Sequence, residues 1–294
     1  MKKLLVIANP NAGKIKKEKF KDLIFKEFSE KYKTDLHFTR YKGDAKDTTK
    51  KLINHYDVFV IFGGDGSINE IGRSLLYSGK PLGIIPGGSG NGLAKGLKIP
   101  TNIQKAIDII KNERIIEIDS GKLNDDYFFN IGGIGLDAWI SKDFNDKPLG
   151  RGIPPYVLYA IINYITMPPF LAEVEIDDQK KKIIPEAILL TFSNFKEWGG
   201  SAYIAPHADP SDTYLDLCIV ENFPLPLALV NLNKLFNKKI DKFKYYQTYK
   251  FKKLKVKTPS PQIYHYDGEK GKWASTFQVE ALPLSLKVIV PENY

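Results

Sequence analysis

The sequence predicts an α/β domain built on a parallel sheet, followed by an antiparallel β-sandwich domain, and three observations carry that prediction. Strand and helix signals alternate over residues 1–120, the rhythm of β-α-β units. Three Gly/Asn-rich loops, NPNAGK (9–14), GGDGS (63–67) and PGGSGNG (86–92), fall where strands of that sheet would end. Beyond about Ile115 the rhythm gives way to short β-type stretches separated by turn signals, which assigns residues 121–294 to the second domain.

The first domain opens on MKKLLVIANP. Its apolar run, Leu4 to Ala8, is too short for a secretory leader and meets a Pro/Asn/Gly turn, so Lys3–Ala8 reads as a strand. Further strands are expected at Asp35–Thr39, Asp57–Phe62 and Leu82–Pro86, the second of these apolar enough to be buried on both faces. Helices are expected at 17–32, with Phe20, Leu23, Ile24, Phe28 and Tyr32 at helical spacing, at Asp44–His55 and at Ser67–Leu76. Thr101 is the expected cap of a fourth helix carrying Ile103, Ala106, Ile107 and Ile110. In the second domain IIEIDSGKL, YFFNIGG, AEVEID, AILLTFSN, YLDLCIVEN, YKFKKLKVKT and LSLKVIV read as strands. Only 151–170 and 222–240 read as helical, and the last strand is a candidate to return to the first domain.

Composition narrows the function classes. A chain of 294 residues can bury two cores without staples. The single cysteine, Cys218, excludes an internal disulfide, fits a reducing compartment and reads as a small core residue. No stretch reaches the ~18–20 apolar residues of a membrane span. The nearest, Tyr156–Met167, is bracketed by Pro154–Pro155 and Pro168–Pro169 and reads as an amphipathic or buried helix. A cytoplasmic location is expected. The net charge of +9 implies an acidic partner, and residues 238–257 hold nine lysines against one acid, Asp241. They form either a solvated strand edge or a patch facing an anionic membrane, worth ~1 kcal/mol per lysine. No nucleic-acid recognition module is visible, so nucleic acid is not an expected partner. The four histidines lack zinc spacing and there is no G-x-S-x-G elbow, which argues against zinc and serine-hydrolase chemistry.

The loops carry the chemistry. Glycines that let a backbone approach, opening onto helix N-termini, make anion sites. In the first loop Gly13 admits the backbone and Lys14 can neutralise phosphate charge; in the third, Ser89 and Asn91 offer side-chain donors. Ser67 with Glu70 three residues on has the form of a capping box, which leaves Asp65 free to meet a metal beside clustered phosphates. The late tetrapeptide Tyr266–Asp267–Gly268–Glu269 is an ordinary acidic turn unless it serves the same reaction, where Glu269 could take a proton from an acceptor hydroxyl. Asp209–Pro210–Ser211–Asp212, with Tyr214 and Asp216, could hold a structural cation.

The succession NPNAGK, GGDGSINE, PGGSGNGLAKGLKIP, NIGGIGLDA, GGSAYIAPHADPSDTYLDL and DGE resembles the diacylglycerol kinase catalytic-domain family, which includes soluble bacterial lipid kinases and the sphingosine and ceramide kinases. The resemblance runs from residue ~4 to ~290. It implies ATP-dependent phosphorylation of a lipid hydroxyl in a cleft between the two domains, with ATP and Mg²⁺ as cofactors. By motif, it assigns ATP to Asn9, Pro10, Asn11, Ala12, Gly13 and Lys14, to Gly63, Gly64, Gly66, Ser67, Asn69 and Glu70, and to Ser89 and Asn91. Thr39 matches a further nucleotide contact. Asp65 would engage Mg²⁺ and the reacting phosphate, Glu269 would be the proton acceptor, and Asp209, Asp212 and Tyr214 would hold a structural Mg²⁺. One departure concerns the acceptor. Asn91–Gly92 stands where many bacterial members carry Asn-Asp, a version closer to the GSGN of sphingosine kinases, and Asp137 falls where a sphingoid amine is recognised. The implied partners are a membrane lipid and, peripherally, the anionic inner face of the membrane; a homodimer stays open. The competing readings are a kinase for a soluble acceptor such as NAD, and a nucleotide- or lipid-binding protein without catalysis.

Overall fold

The computed structural model describes residues 1–13, 15–146, 153–199 and 202–294. The chain divides into two units, residues 1–118 with 284–294, and residues 119–283.

In the first unit β1 (Lys2–Ala8), β2 (Tyr32–Phe38), β3 (Val58–Gly63) and β4 (Leu82–Pro86) alternate with α1 (Lys17–Phe28), α2 (Asp44–Leu52) and α3 (Asp65–Leu75), and α4 (Gly92–Gly96) and α5 (Ile103–Asn112) follow. The strands run in the order β4-β3-β1-β2, each pair parallel. Every residue of β3 is buried, as an apolar strand covered on both faces should be. On α1, Phe20, Ile24 and Phe28 recur four residues apart and are buried; Phe20 stacks on Phe62 with ring centroids 4.3 Å apart. Each such ring contributes about 1.5–3 kcal/mol by leaving water.

Two local expectations are corrected. The first helix stops at Phe28 instead of Tyr32: polar Ser29–Glu30–Lys31 break its apolar stripe, and Tyr32 opens β2 with its hydroxyl on Glu113. The cap of α5 is Asn102, whose side chain accepts from the Lys105 N–H at 3.0 Å, and not Thr101. Both residues are competent caps, and Asn102 is the one next to the first helical residue.

The second unit is mixed but dominated by antiparallel strands. It takes in β5 (Ile115–Leu123), which begins in the first unit, then β6 (Asp126–Phe128), β7 (Ile131–Gly135), α6 (Leu136–Asp146), α7 (Ile153–Thr166), β8 (Phe170–Ile176) and β9 (Lys180–Ser193). After β10 (Glu197–Gly199), β11 (Ala202–Tyr203) and β12 (Leu215–Glu221) come α8 (Leu225–Phe236), β13 (Tyr246–Phe251), β14 (Lys253–Tyr266) and β15 (Glu269–Ile289). The long strands β9 and β14 share both short ones: β8 pairs with each near one end and β7 with each near the other. Phe128, Phe192, Leu217, Phe251, Val256 and Phe277 form the core between them. Cys218 is a fully buried residue of β12. The last residues of β15 lie in the first unit, where Val288 pairs with Leu82 in parallel.

The helix α6 was not anticipated. It starts straight after Gly135, whose φ is +93°, and its first-turn Asp137 accepts from the Ala138 N–H at 2.8 Å. Leu136 and Ile140, four apart, were the signal available in the sequence.

Candidate functional site

At the carboxyl edge of the first unit's sheet three loops are stitched together by their own backbones. Asn9 N–H donates to Phe62 O (2.9 Å), Gly13 N–H to Gly87 O (2.8 Å) and Gly87 N–H to Gly63 O (2.8 Å). The second and third loops touch through glycine: a Cβ on Gly88 would lie 2.6 Å from Gly64 Cα. A Cβ on Gly90 would lie 2.8 Å from Asp65 Oδ2, so the Asp65 carboxylate rests against a loop that only glycine leaves open.

Side chains divide between bracing this edge and facing outward. Asn9 braces: its Oδ1 accepts from Asn11 N–H (2.9 Å) and its Nδ2 donates to Ser67 Oγ (3.4 Å). Asn91, at φ +53° and buried, clasps Gly88 twice, accepting from its N–H (2.9 Å) and donating to its carbonyl (2.7 Å). Ala12 and Asn69 are buried, whereas Asn11, Gly13 and Ser89 are exposed and Pro10 and Asp65 half-buried. Lys14 lies outside the described residues. Thr39 is held beside the first loop, its N–H donating to Ala8 O at 2.9 Å.

The expected Ser67–Glu70 capping box does not form. The helix α3 starts at Asp65, two residues early, with Gly64 as N-cap and no side-chain cap. Gly64 is extended, which lets the helix begin at once and places Ser67 inside its first turn. Glu70 instead accepts from Gly43 N–H at 2.8 Å. Next to Gly43, buried Asp44 accepts from Arg40 N–H (2.8 Å) and lies 3.2 Å from His37 Nε2. Burial works against its charged form, yet the Arg40 and His37 contacts outweigh it and hold the carboxyl at about 2. Asp65 therefore stands in the first turn of an eleven-residue helix, where the helix dipole favours anions. One carboxylate beside backbone donors that suit phosphate is the set magnesium uses with a polyphosphate, so this edge fits that cation.

In the second unit the YDGE turn separates its two acids. Asp267 is structural: its carboxylate accepts from the N–H groups of Phe129 (2.9 Å), Asn130 (2.8 Å) and Ile131 (3.2 Å). Its φ of +48° and the +81° of Gly268 fold the turn, and Glu269 follows, half-buried, as the first residue of β15.

In the acidic loop the carboxylates are engaged locally. Asp209 Oδ1 accepts from Ser211 N–H (3.1 Å) and Oγ (2.9 Å), Asp212 Oδ1 from Tyr214 N–H (3.0 Å), and Asp212 Oδ2 is paired with Lys250. Among the described residues no three acidic, histidine or cysteine side chains converge. What the loop does have is Asp119, a buried acid that the sequence analysis passed over. Its Oδ2 accepts from Thr213 N–H (2.8 Å) and its own N–H donates to Pro210 O (2.6 Å). A carboxylate within the β stretch IIEIDSGKL was the available signal.

Asp216, buried in β12, has its carboxyl raised by burial to about 6, with Lys250 only partly opposing the shift. The folded state thus takes up its proton more readily than the unfolded chain. That contribution is full below pH ~4 and is lost as pH rises through 6, by at most about 2–3 kcal/mol at pH 8. Asp216→Asn removes the titration. The difference between its melting temperature and that of the wild type should shift in its favour between about pH 4 and 6 and level off above about pH 7, which calorimetry at stepped pH checks.

Asp137, the candidate acceptor contact, lies in the interior of the second unit. It is fully buried and accepts from Thr191 Oγ1 (2.7 Å) and Ala138 N–H (2.8 Å). The second unit does contain an apolar slot of about 120 Å³, lined by Leu136, Tyr164, Ile188, Trp198, Phe223, Ala228, Leu232 and Phe243 among others. The Trp198 indole N–H is buried there without a hydrogen-bond partner. Tyr164 brings α7 into the slot's wall, whereas Leu158, Ile161, Ile162 and Ile165 of the same helix are exposed, so that segment is neither wholly buried nor conventionally amphipathic.

Comparison with known proteins follows the same two halves. The diacylglycerol kinase catalytic domain family matches residues 3–123, and the YegS C-terminal NAD kinase beta sandwich-like domain matches residues 131–290. A diacylglycerol kinase of Staphylococcus saprophyticus is 31% identical over 225 residues, covering 75% of this chain and 73% of that protein. One from Staphylococcus carnosus is 28% identical with the same coverage. The crystal structure of a diacylglycerol kinase from Bacillus anthracis superposes with a TM-score of 0.76 at 22% identity, over 99% of this chain and 98% of that one.

Proposed function

The chain belongs to the diacylglycerol kinase family and is an ATP-dependent kinase acting on a hydroxyl; on that premise we propose that the hydroxyl belongs to a membrane lipid, diacylglycerol or a related lipid such as a sphingoid base. The observation that carries this reading is the apolar slot of the second unit, whose lining suits a hydrocarbon chain. Filling the slot tests the reading. Ala228→Trp should raise KM for the lipid acceptor at least tenfold and leave KM for ATP within twofold; an unchanged acceptor KM would remove the slot from the account.

In this reading the stitched loops hold the ATP phosphates through backbone N–H groups and the first turn of α3. Asp65 would hold the Mg²⁺ that accompanies them, and that ion would supply charge neutralisation at the transferred phosphoryl group. Glu269 takes the proton of the acceptor hydroxyl as its oxygen bonds to the γ-phosphorus and ADP departs. Most of the rate then comes from positioning and charge stabilisation.

The membrane partner follows from the acceptor. The exposed apolar residues of α7 and, on α8, Val230, Leu232 and Phe236, next to Lys234, Lys238 and Lys239, suit an anionic lipid surface. At ~1 kcal/mol per lysine, binding to phosphatidylglycerol vesicles should fall steeply between low and physiological salt. Salt-insensitive binding, or none, returns these lysines to a solvated edge. The second reading, a soluble acceptor such as NAD, draws support from the description of the C-terminal family.

A further inference from the structure

One buried polar cluster is used by nothing described so far. Three strands bring His265 (β14), Gly133 (β7) and Thr191 (β9) to the same register, with Gly133 in the middle. Gly133 leaves a hole: a Cβ there would lie 2.3 Å from Asp137 Oδ2. The Asp137 carboxylate, carried on the first turn of α6, fills that hole. It accepts from Thr191 Oγ1 at 2.7 Å on one side and meets His265 Nε2 at 3.2 Å on the other. That second contact is close without hydrogen-bond geometry, and neither ring nitrogen of His265 has a hydrogen bond.

A buried imidazole in that condition is costly. An apolar ring of similar size would avoid the desolvation penalty, so stability alone does not explain a histidine here. Its position suggests why one is kept. His265 lies two residues before Asp267, and α6, seated by Asp137, runs along the hairpin that carries the Glu269 turn. Trp139 packs edge-to-face on Trp273 with centroids 5.5 Å apart. Asn145 Nδ2 donates to Gly268 O at 3.0 Å, and Asp146 pairs with Lys270 at 2.9 Å. The helix therefore grips the turn from both of its strands, and the buried cluster fixes the end from which it starts.

We propose that α6 is a splint for the turn bearing Glu269, and that Asp137, Thr191 and His265 are positioning residues that seat it. This rests on the reading of Glu269 as the proton acceptor. It gives Asp137 a task other than contact with the acceptor.

The test uses the full chain with Thr191→Val, Asp137→Ala and Asp137→Asn, read by amide hydrogen exchange and by steady-state kinetics. Thr191→Val is nearly isosteric and keeps the proposal testable should Asp137→Ala fail to fold. Expected for Thr191→Val and Asp137→Ala is at least tenfold faster exchange at residues 266–270, with residues 215–221 of β12 within twofold of wild type. With it should come a kcat at least tenfold lower and KM for ATP within twofold. Asp137→Asn keeps a carbonyl for the Ala138 N–H, and its Nδ2 can donate to the Thr191 hydroxyl once that hydroxyl turns to accept, so it should restore at least a third of kcat. Unchanged exchange at 266–270 in both variants overturns the splint, and so does faster exchange everywhere, which marks a merely structural cluster. A rise in acceptor KM alone, with exchange unchanged, returns Asp137 to acceptor recognition. Should the wild type phosphorylate no acceptor, the kinase reading fails by itself and the exchange pattern still decides whether α6 holds the turn.

Discussion

Asp65→Asn is expected to lower turnover at least ~10³-fold, about 4 kcal/mol of transition-state stabilisation. The substitution keeps the size of the side chain resting against Gly90 and removes only its charge, so any metal it holds with the phosphates loses its one protein carboxylate. The cost to folding should be small. A first-turn carboxylate contributes about 0.3–1 kcal/mol through the helix dipole, so the melting temperature should move by no more than a few degrees. Single-turnover kinetics with labelled ATP, run beside calorimetry, separates the two effects. A variant with near-wild-type turnover would take Asp65 out of the chemistry.

Glu269→Gln carries the second large effect. A positioned general base accounts for ~10²–10⁴ in rate, so kcat should fall at least a hundredfold with KM for ATP unchanged. Asp267→Asn serves as a contrast, because that carboxylate spends itself on three backbone N–H groups. It should loosen the turn and lower thermal stability as well as activity, whereas Glu269→Gln should leave stability intact. A loss below threefold in Glu269→Gln would make Glu269 a turn residue like its neighbour.

Periodicity and loop composition made much of this legible in the sequence. The apolar run before GGDGS is β3, and the three Gly-rich loops do converge, as the Gly13–Gly87 and Gly87–Gly63 hydrogen bonds record. At the Gly-rich loops and in the second unit, departures come from tertiary partners that no local pattern displays. Ser67 and Glu70 have the spacing of a capping box, but Gly43 lies 27 residues away in sequence and supplies Glu70 with a different donor. Nothing near Asp212 in sequence says that β13 brings Lys250 to it. Asp137 reads from its motif as an acceptor contact, and nothing in GIGLDA says that Gly133 will leave room for its carboxylate. His265 was one of four scattered histidines, and only the pairing of β14 with β7 and of β7 with β9 sets it level with Thr191.

The central claim is the lipid acceptor, and phosphate transfer measures it directly. The protein, γ-labelled ATP and Mg²⁺ would be incubated in parallel with mixed micelles of diacylglycerol, with micelles of sphingosine and with soluble NAD. The account predicts label in an extracted lipid, reduced in Ala228→Trp at subsaturating lipid. Label in NAD alone would contradict it.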